Sequence, residues 1–322
     1  MTRDRAVHAA VQILGPLAEL DVPLAPMTTY RVGGSAAVFV RPRTCDDLHV
    51  IAEAVAVSEL PVVVIGRGSN LLVADAGFRG IAISLAVLGS GIEIVGTVVR
   101  AGGAVALPVL ARRTVAAGLT GFEWAVGVPG SVGGGVRMNA GGHGSDMASC
   151  LRCVEMFDLD RRAAVELPAA ALGMRFRGSD LGDRQLIVHA TLDLAPGSVE
   201  ASEAELEEIV RWRREHQPGG QNAGSVFVNP VPGEVTAGEL IDRIGLRGFR
   251  IGTAHVSEKH ANFIQGTDGG SADDVLRVIE EVRRRVADET GYVLRSEVRL
   301  IGTGDGFDEA LAGHGLHAGV RW

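Results

Sequence analysis

Aromatic side chains are scarce in this 322-residue chain: at 4% of it, they leave the interior to be filled by small aliphatic residues. Cysteine is scarcer still. Cys45, Cys150 and Cys153 are an odd number in a long chain, which argues against a disulfide scaffold and fits a reducing compartment. Cys150 and Cys153 have CxxC spacing, but no second pair or histidine cluster accompanies them. Packing is therefore favoured over redox or metal use, and no metal is expected. No window approaches the ~20 apolar residues of a membrane span. The stretch Met1 to Leu20 lacks the uninterrupted apolar core of a signal peptide, and its Val7, Ala10, Val11, Leu14 and Leu17 follow helical spacing instead. A cytoplasmic protein with no membrane partner is the expectation. Positive charge is not in excess either: 31 Lys and Arg stand against 39 Asp and Glu, a net −8. That removes the electrostatic footprint of a nucleic-acid binder. It leaves room for an anionic small molecule, because a few arginines and main-chain amides can reverse the field within a cleft.

Glycine is what the chain has in plenty. Its 44 glycines fall in clusters, without a repeat, as tight turns and close backbone approaches require. Between the clusters, apolar spacing predicts alternating elements. These are a strand over Ala36 to Val40, a helix capped by Thr44 and Asp47 with Leu48, Ile51, Ala54 and Val55 inward, and strands over Pro61–Ile65 and Leu71–Ala74. From Ile81 to Leu194 the pattern is mainly β, with one helix over Leu107–Ala117 and a glycine-rich loop from Gly127 to Gly144. After Gly197, Ser202 with Glu205 reads as a helix cap, Asn222–Phe227 as a turn into a strand and Ala237–Ile244 as a short helix. Ser271 caps the last long helix, and Tyr292–Ile301 reads as a closing strand. The expected class is α+β, in segments 1–80, 81–200 and 201–302 with a tail at 303–322.

Two glycine strings carry the ligand signal. Gly66-Arg67-Gly68-Ser69-Asn70 is followed by a β-rich stretch, so it is not the GxGxxG turn that opens a Rossmann helix. It is either a structural turn or a phosphate cradle made of main-chain N–H groups. The second string, from Gly127, is likewise free of acidic side chains, and together they favour a dinucleotide held by backbone. Ser225, in Asn-Ala-Gly-Ser, has no nucleophile elbow around it and is either a turn serine or a proton donor. Glu297 alternates with Arg295 and Arg299 and is either part of a solvated face or a carboxylate held in a cleft. Arg175 and Arg177 flank Phe176 and by strand alternation point the same way, toward a surface ion pair or an anion. His260 is either a tautomer-locked structural residue or a substrate contact.

In order along the chain, Arg31-Val-Gly33-Gly34, Gly66-x-Gly-Ser-Asn70, Gly127-Val-Pro-Gly-Ser-Val-Gly-Gly134, Met138-Asn-Ala-Gly141, Asn222-Ala-Gly-Ser-Val-Phe227, Asn229-Pro230, Val256-Ser-Glu-Lys-His-Ala-Asn-Phe263 and Glu297-Val298 resemble the bacterial UDP-N-acetylenolpyruvoylglucosamine reductases. The resemblance runs from about Pro23 to Gly302 and fits the shorter subclass, without the extra tyrosine-bearing loop. It implies a vanillyl-alcohol-oxidase-type FAD-binding fold of two subdomains, 1–80 and 81–200, with a C-terminal α+β substrate domain. It implies bound FAD, NADPH as hydride donor and UDP-N-acetylglucosamine enolpyruvate as substrate, used in a ping-pong sequence. A monomer is the expectation, although no feature of the sequence sets the oligomeric state.

By motif, the resemblance assigns FAD contacts to Arg31, Gly33, Gly66, Arg67, Gly68, Ser69, Asn70 and Leu71, and further to Gly127, Pro129, Gly130, Ser131, Gly133, Gly134, Asn139 and Gly141. It gives Ser225 the role of proton donor, Arg177 that of carboxylate clamp, and Glu297 that of a protonated carboxyl beside them; Asn229, Lys259 and His260 are substrate contacts. Phe176 stands where the family has tyrosine, His143 replaces a common tyrosine, Asp146 a glutamate, and Val228 a position that is often basic. Rival readings are another FAD-dependent sugar or lactone oxidoreductase and a non-catalytic flavin or UDP-sugar binder.

Overall fold

Local chemistry sets the helices of the computed structural model, which describes residues 3–302; the expected tail at 303–322 lies outside the described residues. Thr44 Oγ1 accepts the Asp47 N–H at 3.2 Å while the Asp47 carboxylate accepts the Thr44 N–H at 3.0 Å. This reciprocal cap opens helix Cys45–Ser58, which ends where Glu59 turns left-handed at φ 56°. Helix Ala272–Thr290 starts at Ser271, whose Oγ accepts the Asp274 N–H, and stops at Gly291, φ 78°. Its Val275, Val278, Ile279, Val282 and Val286 are wholly buried, at the spacing of one helical face.

Internal contacts divide the chain into two units. The first takes in the described residues up to Val22, Ala36–Arg67 and Arg79–Glu215. The second takes in Pro23–Ser35, Gly68–Phe78 and the described residues from His216. The division is thus discontinuous, where the expected segments were contiguous. Its cause is a pairing distant in sequence: Leu71–Val73 runs parallel to Arg299–Ile301, with Leu72 opposite Leu300.

The first unit holds two cores. One lies between helices Arg3–Leu14 and Cys45–Ser58 and a four-stranded sheet ordered Glu19–Pro23, Ser35–Val40, Phe78–Ile83, Val62–Val64. The other lies under an antiparallel five-stranded sheet ordered Ala163–Pro168, Leu151–Asp158, Gln185–Asp193, Val98–Gly102, Ile92–Val95, covered by helices Leu107–Ala116 and Val132–Met138. Cys150 is buried in this core, and burial pushes its thiol up to about 12, so it carries no thiolate at neutral pH. The second unit packs Ala237–Arg243, Ala272–Thr290 and the sheet Arg250–Ile251, Ala254–Val256, Ile264–Gly266 around a third core that includes Tyr30, Val32 and Leu72. Among the described residues no helix is long and apolar enough to cross a membrane.

Four expectations about elements need correcting. Ser202 is not a cap: the helix runs Val199–His216, Ser198 Oγ accepts the Ala201 N–H, and the buried Ser202 hydroxyl donates to Glu123 at 2.6 Å. The stretch from Gly127 to Gly144 is not all loop, because Ser131 caps a helix at Val132–Met138. Asn222–Phe227 leads into no strand, and of Tyr292–Ile301 only Arg299–Ile301 is one. These two segments meet at a single bridge, Phe227 with Ser296, so neither gains the ladder that would extend it.

Within the second unit, the Asp75 carboxylate also caps Ala272–Thr290, accepting from Ser271 Oγ at 2.6 Å, Ala272 N at 2.9 Å and Asp273 N at 3.1 Å. Asp75→Ala should lower unfolding stability by about 1–2 kcal/mol, the loss typical of a removed N-cap acceptor. Urea denaturation of the apoprotein reads this, and an unchanged midpoint would show that the contact contributes nothing.

Candidate active site

Gly66 to Asn70 links Val62–Val64 to Leu71–Val73 and presents backbone. Among the described residues, none of its five main-chain N–H groups has a hydrogen-bond partner in the chain. Gly68 is left-handed at φ 61°, and a Cβ there would overlap the Met27 carbonyl. At Gly66 a Cβ would sit 2.5 Å from Ser131 Oγ. Successive unspent amides in such a turn suit a phosphate group. Arg67 is exposed, while Ser69 and Asn70 are half-buried. Nearby in the second unit, Arg31 is left-handed at φ 54° with its N–H on Thr28 Oγ1, and Gly33 lies so close to the Val73 carbonyl that no side chain fits.

The other glycine string divides by what its amides do. Val132 N–H bonds Val105 O, Gly133 N–H bonds Gly103 O, both at 2.8 Å, and Gly134 N–H bonds Ser131 Oγ at 3.3 Å. Gly133 and Gly134 therefore spend their donors on seating and capping the helix. The amides of Gly130 and Ser131 have no partner among the described residues. Pro129 lies exposed just before them. At Gly127 a Cβ would press on Ile209 at 3.1 Å and touch His143 and Arg213. This brings in the last turns of Val199–His216, where Trp212 meets the His143 ring edge-on at 5.2 Å. The spacing of Ile209 in that helix was readable; nothing in the sequence marked Trp212 or Arg213.

Asn139 ends Val132–Met138 in a left-handed turn, φ 41°, and its buried amide is fully engaged. Nδ2 donates to Asp146 at 2.9 Å and to the Arg175 carbonyl at 3.2 Å, and Oδ1 accepts Ala148 N–H. Next to it, Arg175 and Gly178 exchange both main-chain hydrogen bonds, so Phe176 and Arg177 form a tight turn rather than an extended strand. The two arginines consequently do not point alike. Arg175 pairs with exposed Asp180 at 2.6 Å. Arg177, left-handed at φ 57°, donates to the Gly141 carbonyl at 3.0 Å and lies over the Phe176 ring at 5.2 Å.

In the second unit the structure brings Ser225 and Glu297 onto adjacent backbone. Glu297 N–H donates to Val226 O at 2.7 Å, and Val228 N–H to Arg295 O at 3.0 Å. Ser225 is half-buried, and its hydroxyl makes no hydrogen bond among the described residues. Asn229 Oδ1 accepts Ala237 N–H at the start of Ala237–Arg243. Lys259 is exposed, with its N–H on Ser257 Oγ. His260 accepts the Asn262 N–H on Nδ1 at 3.2 Å, which puts the proton of the neutral ring on Nε2. Burial, then the charge of Arg247, holds its pKa below the ordinary value.

Matches to known proteins follow this layout. An FAD binding domain model matches residues 36–160, and the C-terminal domain of UDP-N-acetylenolpyruvoylglucosamine reductase matches residues 216–301. The reductase of Heliobacterium modesticaldum is 42% identical over 286 residues, 88% of this chain and 90% of its own. The chain belongs to the UDP-N-acetylenolpyruvoylglucosamine reductase family. The reductase of Gloeobacter violaceus is also 42% identical, across 88% of this chain and 96% of its own. A crystal structure of the reductase from Thermus caldophilus superposes with a TM-score of 0.75 at 34% identity, covering 88% of this chain and 98% of that one. The α+β layout, an FAD-binding domain followed by a C-terminal reductase domain, therefore holds. The unspent amides at 66–70 and 130–131 fall within the FAD-binding match, and such donors fit the pyrophosphate of that cofactor.

Acid should weaken the fold before the carboxylates titrate. His143, His189, His255 and His260 all have pKa values lowered from 6.5, with burial the largest cause in each. A histidine depressed in the folded state lends stability above its unfolded value and loses it as pH falls toward the folded one. Glu205, raised by burial, acts the other way, one group against four. The urea midpoint should therefore drop between pH 6.5 and about 5, below which carboxylates add their own effect. A flat midpoint over that interval would mean that these rings are not held neutral.

Proposed function

We propose that this chain reduces UDP-N-acetylglucosamine enolpyruvate to UDP-N-acetylmuramate, with NADPH as the electron source and bound FAD as the carrier. The observation that supports it most is the adjacency of Ser225 and Glu297 in the second unit, with the Ser225 hydroxyl uncommitted. A serine with no internal acceptor is available to give its proton to a substrate carbon.

FAD supplies the hydride chemistry, holding two electrons between the donor and the enolpyruvyl group. The rest falls to side chains. When hydride reaches the terminal enol carbon, negative charge moves through the neighbouring carbon onto the carboxylate. Arg177 is the cation assigned to that charge, and its guanidinium is already restrained by the Gly141 carbonyl and the Phe176 ring. Glu297, as the protonated carboxyl, adds a hydrogen bond there. Ser225 then delivers its proton to the carbon bearing the ether oxygen, completing the lactyl group; one hydride and one proton have been added. Asn229, Lys259 and His260 are assigned to the nucleotide sugar. The amides of Gly66–Asn70 and of Gly130 and Ser131, with Arg31, Gly127 and Gly141 beside them, are assigned to FAD. In this reading residues 1–80 and 81–200 serve the cofactor, 201–302 serve the substrate, and the enzyme works as a cytoplasmic monomer.

Anaerobic stopped-flow absorbance separates the two half-reactions. NADPH should bleach the bound flavin, and the enolpyruvyl nucleotide sugar should restore its colour. Ser225→Ala should still bleach but recover about 10²–10⁴-fold more slowly, the range expected for losing a general acid. Recovery at the wild-type rate would remove Ser225 from the chemistry, and a wild-type protein that never recovers would point to another acceptor.

A further inference from the structure

Ser225 and Glu297 lie on irregular chain, yet the main chain of Val226, Phe227 and Glu297 is held by hydrogen bonds, and two asparagine side chains contribute to it. Asn262, 4% exposed, faces Phe227 as a peptide group would. Its Oδ1 accepts Phe227 N–H at 2.9 Å and its Nδ2 donates to Phe227 O at 2.8 Å, while its own carbonyl accepts Val226 N–H at 2.8 Å. On the opposite side, Val226 O takes the Glu297 N–H at 2.7 Å. The segment that follows Ser225 is thus clamped between Asn262 and the Glu297 chain.

The second asparagine acts on Glu297 itself. Asn70 Nδ2 donates to Glu297 O at 2.9 Å across 227 residues of sequence, and Asn70 O accepts Arg299 N–H at 3.0 Å. Glu297 therefore has its N–H fixed to Val226 and its carbonyl fixed to Asn70, one bond on each side of the Cα that carries the carboxyl. At Asn262 the primary amide supplies both the donor and the acceptor that the Phe227 main chain needs, whereas at Asn70 only the Nδ2 donor is used. Leucine in either place, or aspartate at Asn70, would leave a main-chain group unpaired.

We propose that Asn70 and Asn262 are positioning residues that set the placement of the Ser225 hydroxyl relative to the Glu297 carboxyl. This rests on the reading of those two groups given under Proposed function. Asn70 then acts on the substrate half of the reaction through its side chain, although it closes the loop assigned to the cofactor. Neither amide needs to touch a reacting atom, because a displacement of about 1 Å at a catalytic group costs about 100-fold in rate.

Asn70→Ala, Asn262→Ser and the double variant, each loaded with FAD, test the proposal by four readings: flavin reduction by NADPH, flavin reoxidation by the enolpyruvyl nucleotide sugar, the pH profile of reoxidation, and the FAD dissociation constant. Reoxidation should slow by about 10- to 100-fold at saturating substrate. In Asn262→Ser, flavin reduction and FAD affinity should change far less, and the pH profile of reoxidation should move. Asn262→Ser retains a hydroxyl at the buried position, and Asn70 is only half-buried, so a folded variant is available even if one of them fails. Weakened FAD binding with both half-reactions slowed together would make Asn70 a cofactor contact and overturn the proposal. A lowered melting temperature with normal reoxidation and an unmoved pH profile would make both residues merely structural and overturn it too. Failure of the wild-type protein to reoxidise would instead overturn the underlying assignment of function, and the proposal with it.

Discussion

The parallel pairing of Leu71–Val73 with Arg299–Ile301 is the constraint on which the rest of the second unit depends. It closes a very long loop, and loop-closure entropy rises only slowly with length. Buried side chains offset that cost: Leu71, Leu72, Val73, Leu300 and Ile301 are all less than a tenth exposed. With that register set, Asn70 at the head of one strand meets Glu297 just before the other, and Asp75 beyond the first strand meets the start of helix Ala272–Thr290. One pairing thus ties the end of a glycine loop, a candidate catalytic carboxyl and the longest helix of the unit to one frame.

The glycine strings show two uses of one composition. In Val132–Met138 the amides of Gly133 and Gly134 bond to Gly103 O and Ser131 Oγ, and at Gly135 a Cβ would approach Met147 Cε to 2.9 Å, so there the absence of a side chain serves packing. At Gly66–Asn70 the amides remain unspent among the described residues. Unpaired amides of this kind are stable where solvent or an anion accepts their hydrogen bonds, and Gly66 and Arg67 are exposed.

Where the determinant is local, the sequence was legible. The Thr44–Asp47 box and the Ser271 cap were readable because donor and acceptor lie three residues apart, and the inner face of Ala272–Thr290 because burial follows the helical period. Ser202 misled because its spacing to Glu205 matches a cap as well as Ser198 does; the buried Glu123, 79 residues away, claims its hydroxyl instead. Arg175 and Arg177 misled because alternation presumes extended chain, whereas their segment closes on itself through Arg175 and Gly178. The motifs nominated Ser225, Arg177 and Glu297, but the amides that hold the Ser225 and Glu297 chains were not legible, since a side chain bonded to distant backbone leaves no period.

Net charge is a poor guide to such a site because main chain carries so much of its polarity. The chain is at −8, yet the ligands assigned to it are a dinucleotide and a nucleotide sugar, both anionic. An unpaired N–H offers partial positive charge at a fixed point without altering the formal balance, and it is effective where water is excluded. Arg177 adds one full charge at a point set by its left-handed turn, the Gly141 carbonyl and the Phe176 ring. Because that guanidinium is held before any ligand arrives, little of its conformational entropy remains to be lost on binding. Tyrosine in place of Phe176 would keep the ring beneath the guanidinium, and phenylalanine supplies the same face without a hydroxyl that would need a partner. The departure from the family pattern at Phe176 therefore leaves intact the feature that orients Arg177.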